Sequence, residues 1–424
     1  MRVLQRRREH EEYVERLLEQ ELSRAKLSPP DRALCQELVY GIVRWQKTLD
    51  WLIARKTAAG RTQNLTLQIL LQLGLYQLFW LQKIPDHAAV NETVEIGKQF
   101  GFGPQAGFLN AILRGYTRER EVTKKLLADI KTEKLALGFS HPEWLVERWQ
   151  TRFGAEKTVR LLEWNNTPPT TFARVNTLKT DAEKLVERWR EENVEYEFRR
   201  FDWTGENLIF ELRSHPPLGT LPSFQEGLFY VQDPSTLLSV QELNPQPGET
   251  ILDLCSAPGG KTTFIAQRME NRGSIVAQDS DAARLKLVQE NCVRLGVTCV
   301  ETMAQGDNLK SKIAGLKFDK ILVDAPCSNS GVLRRRVDLR WRIRIEEISR
   351  LQKMQLDILR GAMPRLKPGG VLVYSTCSLE PEENSEVIKS FLAENSNFKL
   401  EAERQLLPFA DGVDGAFVAR LREG

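Results

Sequence analysis

Thr250–Thr263 reads TILDLCSAPGGKTT, and the rest of the chain is organised around it. Thr250–Leu254 alternates β-branched and apolar residues, the pattern of a buried strand. Pro258, Gly259 and Gly260 form a loop, and Lys261–Met269 then takes helical spacing. Strand, glycine-rich loop and helix in this order place a turn at the carboxyl end of a parallel sheet, where small ligands bind. Glycine lets the backbone approach a bound molecule closely because no Cβ intervenes.

Three ligand loops compete for this stretch. A phosphate-cradling loop requires G-x-x-x-x-G-K-[ST], and Gly260-Lys261-Thr262 supplies only its second half, because Cys255 holds the first glycine position. The dinucleotide fingerprint G-x-G-x-x-G is absent. A nucleoside cofactor without a pyrophosphate remains, and S-adenosyl-L-methionine fits. Its ribose diol needs an acceptor at the end of the second strand. Ser274–Gln278 is that strand and Asp279 ends it, about 20 residues past the glycines. Without Asp279 and the later motifs, paired glycines would mean only an ordinary turn.

A chain of 424 residues is long enough for two or three domains. Apolar content of 41% with 28% charged residues describes a soluble globular protein. No uninterrupted apolar run approaches a membrane span, so no membrane partner is expected. Arg2, Arg6, Arg7 and Arg8 are followed by Glu9, Glu11 and Glu12, which indicates a charged helix rather than an acid-poor transit peptide. The six cysteines include no C-x-x-C pair. Neither a disulfide framework nor a zinc site is expected, and the compartment is expected to be the reducing cytoplasm. A net charge of +3 is too small to choose a partner.

Residues 1–140 read as all-helical. Leu67–Leu81 is nearly apolar all round and should be a central buried helix. Around it are expected Asp31–Ile53, with Leu34, Leu38, Ile42 and Val43 on one face, then Ala88–Phe100 and Phe108–Arg118. Arg32, Arg44, Lys47, Arg114, Arg118, Arg120, Lys124 and Lys125 fall on polar faces and are candidates for RNA contact. A second part, 141–235, holds a helical connector (Lys131–Leu162 reads as helix) and a small α+β module. The module has a strand Thr170–Val175, a helix Asp181–Glu191 and strands Val194–Phe198 and Leu208–Leu212. That β-α-β-β order is RRM-like, without the aromatic-rich pattern that stacks bases. Gly227–Val231 leads into a third part, 236–424. There Thr250–Leu254, Ser274–Asp279, Thr298–Met303, Phe318–Asp324 and Val371–Thr376 alternate with helices. This is an α/β, Rossmann-like doubly wound sheet. Leu366–Gly370 is read as a helix stop, and Phe398–Ala402 and Ala416–Leu421 as edge strands.

Two strand ends carry the chemistry. Asp324-Ala325-Pro326-Cys327-Ser328 follows the fourth strand, and Tyr374-Ser375-Thr376-Cys377-Ser378 closes the fifth. Neighbouring parallel strands would put both cysteines on the edge that carries the glycine loop. Cys35, Cys292 and Cys299 are expected to be buried and structural, and Cys255 to pack against the cofactor. Two thiols at one crevice suit methylation of carbon 5 of cytosine, a poor nucleophile. Thiolate addition at carbon 6 makes carbon 5 an enamine carbon able to attack a sulfonium methyl, and loss of the carbon-5 proton then expels the thiolate. Asp324 suits the N3/N4 edge of the base, and if protonated it can donate to N3. Amine methylation needs an Asp/Asn-Pro-Pro-aromatic tetrapeptide, and here Pro326 is followed by a cysteine.

With both cysteine motifs placed, the chain resembles the RNA (cytosine-5) methyltransferases of the Sun/NOL/NSUN family, in particular the RsmB-type (Sun/Fmu) branch. The resemblance rests on Leu254–Lys261 (LCSAPGGK), Val323–Gly331 (VDAPCSNSG), Tyr374–Ser378 with Pro381-Glu382-Glu383-Asn384, and Asp414-Gly415. Leu38–Gly41, Leu73–Gln77 and His87–Glu92 are similar to the NusB-like RNA-binding domain of that branch. The resemblance implies that Cys377 is the nucleophile, that Cys327 assists release, and that the substrate is small-subunit (16S) ribosomal RNA. It further implies that Cys255, Ser256, Ala257, Pro258, Gly259, Gly260, Lys261, Asp279, Asp307 and Asp324 line the cofactor site. No metal is implied, and the chain is expected to be a monomer. Ser256 stands where the family usually has alanine, and Val337 where it usually has proline. Arg334–Trp341 (RRRVDLRW), near Cys327, suits phosphate contact and base stacking. The rival readings are a tRNA methyltransferase and a non-catalytic NusB-type assembly factor.

Overall fold

A computed structural model of the chain describes residues 1–9, 12–57, 64–205, 208–304 and 315–424. Asp307 lies outside the described residues. The chain forms two compact units, Met1–Pro168 with Leu333–Arg342, and Pro169–Val332 with Ile343–Gly424.

The first unit is helical. Asn64 caps its central helix, Leu65–Trp80, by accepting from the backbone N–H groups of Thr66 and Leu67. As its all-round apolar sequence demands, Ile69, Leu70, Leu71 and Leu75 are buried. Gln68 and Gln72 each donate to Asp50 at 2.6 Å, which satisfies the polar groups on that helix. A Cβ at Gly41 would lie 2.0 Å from the ring of Tyr76, so only glycine permits this crossing. The single helix expected over 31–53 is two, Pro29–Arg44 and Gln46–Lys56, broken at Trp45. Leu34 is 43% exposed, because the core begins further along that helix, at Val39. The connector expected as one helix is interrupted at Lys134, after Gly138 and again at Gly154, whose φ of +80° ends Glu143–Phe153.

Leu333–Arg342 packs into this helical unit. Val337 joins its apolar core, so a β-branched side chain serves where proline is usual. The buried carboxylate of Asp338 accepts from Arg7 Nε at 2.7 Å, from Val14 N at 3.0 Å and from Arg342 Nε at 3.0 Å. Arg340 is fully buried and donates to the carbonyls of Arg44 (3.4 Å), Ser140 (3.3 Å) and Asn165 (2.8 Å) and to Asn166 Oδ1 (2.8 Å). Burial, and then the charge of Arg44, lowers its pKa well below the usual guanidinium value. The guanidinium of Arg334 stacks 3.9 Å over Trp164, and Trp341 Nε1 donates to Val43 O at 2.7 Å. The expectation that this run meets RNA is therefore corrected for the arginines it buries. Arg334 and Arg340 are interior residues, and Arg336 is the exposed arginine of the run. Arg44, also expected on an RNA-facing surface, is buried.

The second unit holds two sheets. β1 (Thr171–Val175), β2 (Glu195–Arg199), β3 (Ile209–Ser214) and β4 (Phe229–Val231) pair antiparallel in the order β2-β3-β1-β4. β4 was expected only to lead into the next domain, but it pairs with β1, Ala173 opposite Val231. Three residues are too few for an alternating pattern to announce a strand.

The larger sheet contains β5 (Thr250–Leu254), β6 (Ser274–Asp279), β7 (Val300–Ala304), β8 (Phe318–Asp324), β9 (Leu366–Thr376), β10 (Phe398–Leu406) and β11 (Ala416–Glu423). Their order is β10-β11-β9-β8-β5-β6-β7; β5 to β9 run parallel and β11 antiparallel to both neighbours. The doubly wound expectation is met. Ile251 and Ile275 face helices Leu237–Leu243, Gly260–Arg268 and Ala282–Leu295, while Leu252 and Val276 face Ile345–Ala362 and Ser385–Glu394. The largest boundary change is at β9: the helix before it ends at Ala362, and Pro368-Gly369-Gly370 lies inside the strand, while the strand expected over Thr298–Met303 is Val300–Ala304.

Candidate active site

Parallel pairing gathers the carboxyl ends of β5, β6, β8 and β9 at one edge. Leu254 is in register with Gln278 and Val323, and Asp324 with Ser375. Cys327 follows β8 and Cys377 follows β9, and their sulfur atoms lie 3.3 Å apart, both residues half-buried. The Cys377 thiol donates to Asn329 Oδ1 at 2.9 Å, and the Asn329 side-chain amide donates to Cys327 O at 2.6 Å. Gly331 N–H donates to Cys377 O, and a Cβ at Gly331 would stand 2.7 Å from that carbonyl. The Cys327 thiol is pushed well above its usual pKa, first by its hydrogen bond with Cys377, then by burial, the charge of Cys377 and last the charge of Glu383.

The glycine loop lies on the same edge. Ser256 N–H donates to Gln278 O at 3.0 Å and Gly259 N–H to Ser256 O at 2.8 Å, which closes the turn. Gly259 has φ +99°, and a Cβ there would sit 3.2 Å from Val288 Cα. Asp279 is buried and accepts from Ala257 N at 3.1 Å, tying the end of β6 to the loop, while Pro258 O accepts from Asn291. Gly260 opens the helix that carries Lys261. Lys261 Nζ forms an ion pair with Asp324 and lies 3.4 Å from Ser375 Oγ, which donates to Asp324 Oδ1 at 2.9 Å. Asp324 thus accepts from Lys261 and Ser375 through Oδ1. Cys255, at φ +60°, is pushed up to about 12 by burial and then by Asp324, Asp279 and Asp253, which makes it a packing residue rather than a nucleophile. Cys292 is buried as expected, whereas Cys35 and Cys299 are only half-buried.

Sequence reasoning missed two buried charges beneath the loop. Arg174 of β1 donates to Gly260 O at 2.8 Å and Thr263 Oγ1 at 3.1 Å, with its guanidinium over the Phe264 ring, and burial lowers its pKa to about 9. Asp253 accepts from Thr262 Oγ1 at 2.6 Å through one oxygen, while its other oxygen has no partner. Burial raises its pKa to about 7. A carboxyl raised above its unfolded value of roughly 3.9 favours the folded state below that value and loses this contribution as pH rises through about 7. We therefore expect Asp253→Asn to stabilise the protein above pH 7, by about 2 °C or more in Tm, and to leave it unchanged near pH 4. Thermal melts at both pH values test this. A charge inside an apolar strand was the available signal.

Among the described residues no cluster of His, Cys, Asp and Glu could hold a metal, and no helix is long and apolar enough to cross a membrane. The family model for the 16S rRNA methyltransferase RsmB/F matches residues 240–422, the NusB family model residues 1–118, and the ferredoxin-like domain of RsmF/B-like methyltransferases residues 141–205. The probable ribosomal RNA small subunit methyltransferase B of Bacillus subtilis (strain 168) is 36% identical, over 98% of this chain and 96% of its own. Among solved structures, PH0851 is similar at TM-score 0.77 and 25% identity, over 97% of this chain and 94% of that one. NSun6 from Pyrococcus horikoshii with SFG is similar at TM-score 0.59 and 25% identity, over 66% of this chain and 98% of that one. With such identity along nearly its whole length, the chain belongs to the ribosomal RNA small subunit methyltransferase B family.

Proposed function

We propose that this protein methylates carbon 5 of a cytosine in 16S ribosomal RNA, with S-adenosyl-L-methionine as donor, through a covalent bond between Cys377 and carbon 6. The observation that carries this reading is the 3.3 Å contact of two thiols at adjacent strand ends, on the edge that bears the glycine loop. Nitrogen methylation needs no thiol, whereas carbon methylation needs one sulfur to attack and is helped by a second beside it. The residues assigned to the cofactor are Cys255 to Lys261, Asp279, Asp307 and Asp324. In support of the fit, Ser256 Oγ is buried without a partner, and Gly259 and Gly260 present backbone alone. When bound, the cofactor supplies an electrophilic methyl group.

Cys377, as thiolate, adds its electron pair to carbon 6 of an unstacked cytosine, which makes carbon 5 nucleophilic. Asp324, held by Lys261 and Ser375, accepts from the exocyclic amine. Once carbon 5 carries the methyl group, a base removes its proton and the carbon–sulfur bond breaks, returning the electron pair to Cys377. Cys327 stands beside the departing sulfur and assists its release. Bisulfite sequencing of 16S ribosomal RNA and tRNA, with and without the gene, tests this reading. We expect one 16S cytosine to lose its protection on deletion, and protection that changes only in tRNA would overturn the substrate assignment.

A further inference from the structure

Glu383 is fully buried in the turn Pro381–Glu383, and its carboxylate joins the two cysteine loops. Oε1 accepts from Ser328 N at 2.7 Å and Gln355 Nε2 at 3.2 Å, while Oε2 accepts from Ser378 Oγ at 2.5 Å and from Ser328 Oγ. Ser328 directly follows Cys327, and Ser378 directly follows Cys377. Gln355 also donates to Pro326 O at 2.9 Å, so the backbone is held on both sides of Cys327. The titratable groups facing Glu383 and the thiols are Tyr374, whose hydroxyl donates to Glu383 O at 2.6 Å, and Asp324. Among the described residues the donors to the carboxylate are neutral, and burial raises its pKa.

We propose that Glu383 is the positioning residue of the two-thiol site: it locks the cysteine loops together, and its negative charge keeps the proton of the pair on Cys327, so that Cys377 is the sulfur that attacks. This rests on the two-thiol reading above. When Cys377 gives its proton to solvent, the Cys327 S–H, 3.3 Å away, can donate to the resulting thiolate. The carboxylate meets the Cys327 loop through the peptide N–H that directly follows Cys327, at 2.7 Å, and the Cys377 loop through the Ser378 side chain. The Cys377 contact and burial raise the Cys327 thiol, and the charge of Glu383 adds to them.

Two substitutions separate the charge from the clamp. Glu383→Gln keeps the length and an acceptor oxygen but removes the charge. Glu383→Asp keeps the charge but withdraws it by one methylene from the serines. Limited iodoacetamide labelling of the full chain at pH 8, without RNA or cofactor, is read by peptide mass spectrometry as the ratio of Cys377 to Cys327 modification. Wild type should label mainly at Cys377, and Glu383→Gln should lower the ratio about fivefold or more, since alkylation follows the thiolate. Glu383→Asp should keep the wild-type ratio yet transfer methyl groups about tenfold more slowly, as positioning is lost. A wild-type ratio in Glu383→Gln overturns the charge role, and a wild-type rate in Glu383→Asp overturns the clamp. Should Glu383→Gln unfold, Glu383→Asp still decides the clamp, and the charge role fails if Cys327 of the wild type is labelled as readily as Cys377. Labelling requires no turnover, so it is independent of the covalent mechanism, which fails separately if Cys377→Ala remains active.

Discussion

Replacing Cys377 with alanine is expected to lower methyl transfer to 16S ribosomal RNA by at least about 10⁴-fold, the scale of losing a covalent nucleophile. No other sulfur can take its place easily. Cys255 is held protonated by burial and surrounding carboxylates, and Cys327 is disfavoured as a thiolate by burial and then by the charge of Glu383. The fold should be nearly indifferent, because the Cys377 side chain contributes one hydrogen bond, to Asn329, and one contact, with Cys327. A bond of this kind is worth about 1 kcal/mol. Transfer of labelled methyl in single turnover measures the loss, and covalent capture of RNA containing 5-azacytidine should vanish with it. Wild-type turnover would remove Cys377 from the reaction.

The second large effect is opposite in kind. Cys327→Ala should still form the bond to carbon 6 but fail to leave it, so that protein–RNA adduct accumulates toward one per active site. The basis is geometric: Cys327 is the side chain in contact with the sulfur that must depart, at 3.3 Å. A slow-migrating band on a denaturing gel, absent from Cys327→Ala/Cys377→Ala, is the expected result. If no such band appears while turnover persists, Cys327 has no part in release.

The catalytic half of this architecture was legible because its signals are local. The strand–glycine–helix pattern at Thr250–Thr263 and the β-branched runs ending at Asp324 and Thr376 each specify their element within a dozen residues. Parallel pairing then made the meeting of the two cysteines foreseeable. Which carboxylate joins them was not. Glu383 acts through Ser328, 55 residues away in sequence, and no periodicity encodes that hydrogen bond. Arg340 misled for a related reason. An arginine-rich run usually signals solvated surface, yet here carbonyls from three separate stretches converge on one guanidinium. Leu34 was misassigned because helical spacing names a face without saying where along the helix the core begins.

Leu333–Arg342 also imposes an order on synthesis. The ribosome finishes Met1–Pro168 roughly 170 residues before Arg342 emerges, a delay of roughly 10–30 s at ordinary elongation rates. Through that interval the amide of Val14 lacks its Asp338 acceptor, and the carbonyls of Arg44, Ser140 and Asn165 lack their Arg340 donor. The part of the polypeptide that is made first is therefore among the last to close. A fragment cut at Pro168 would lack those partners altogether.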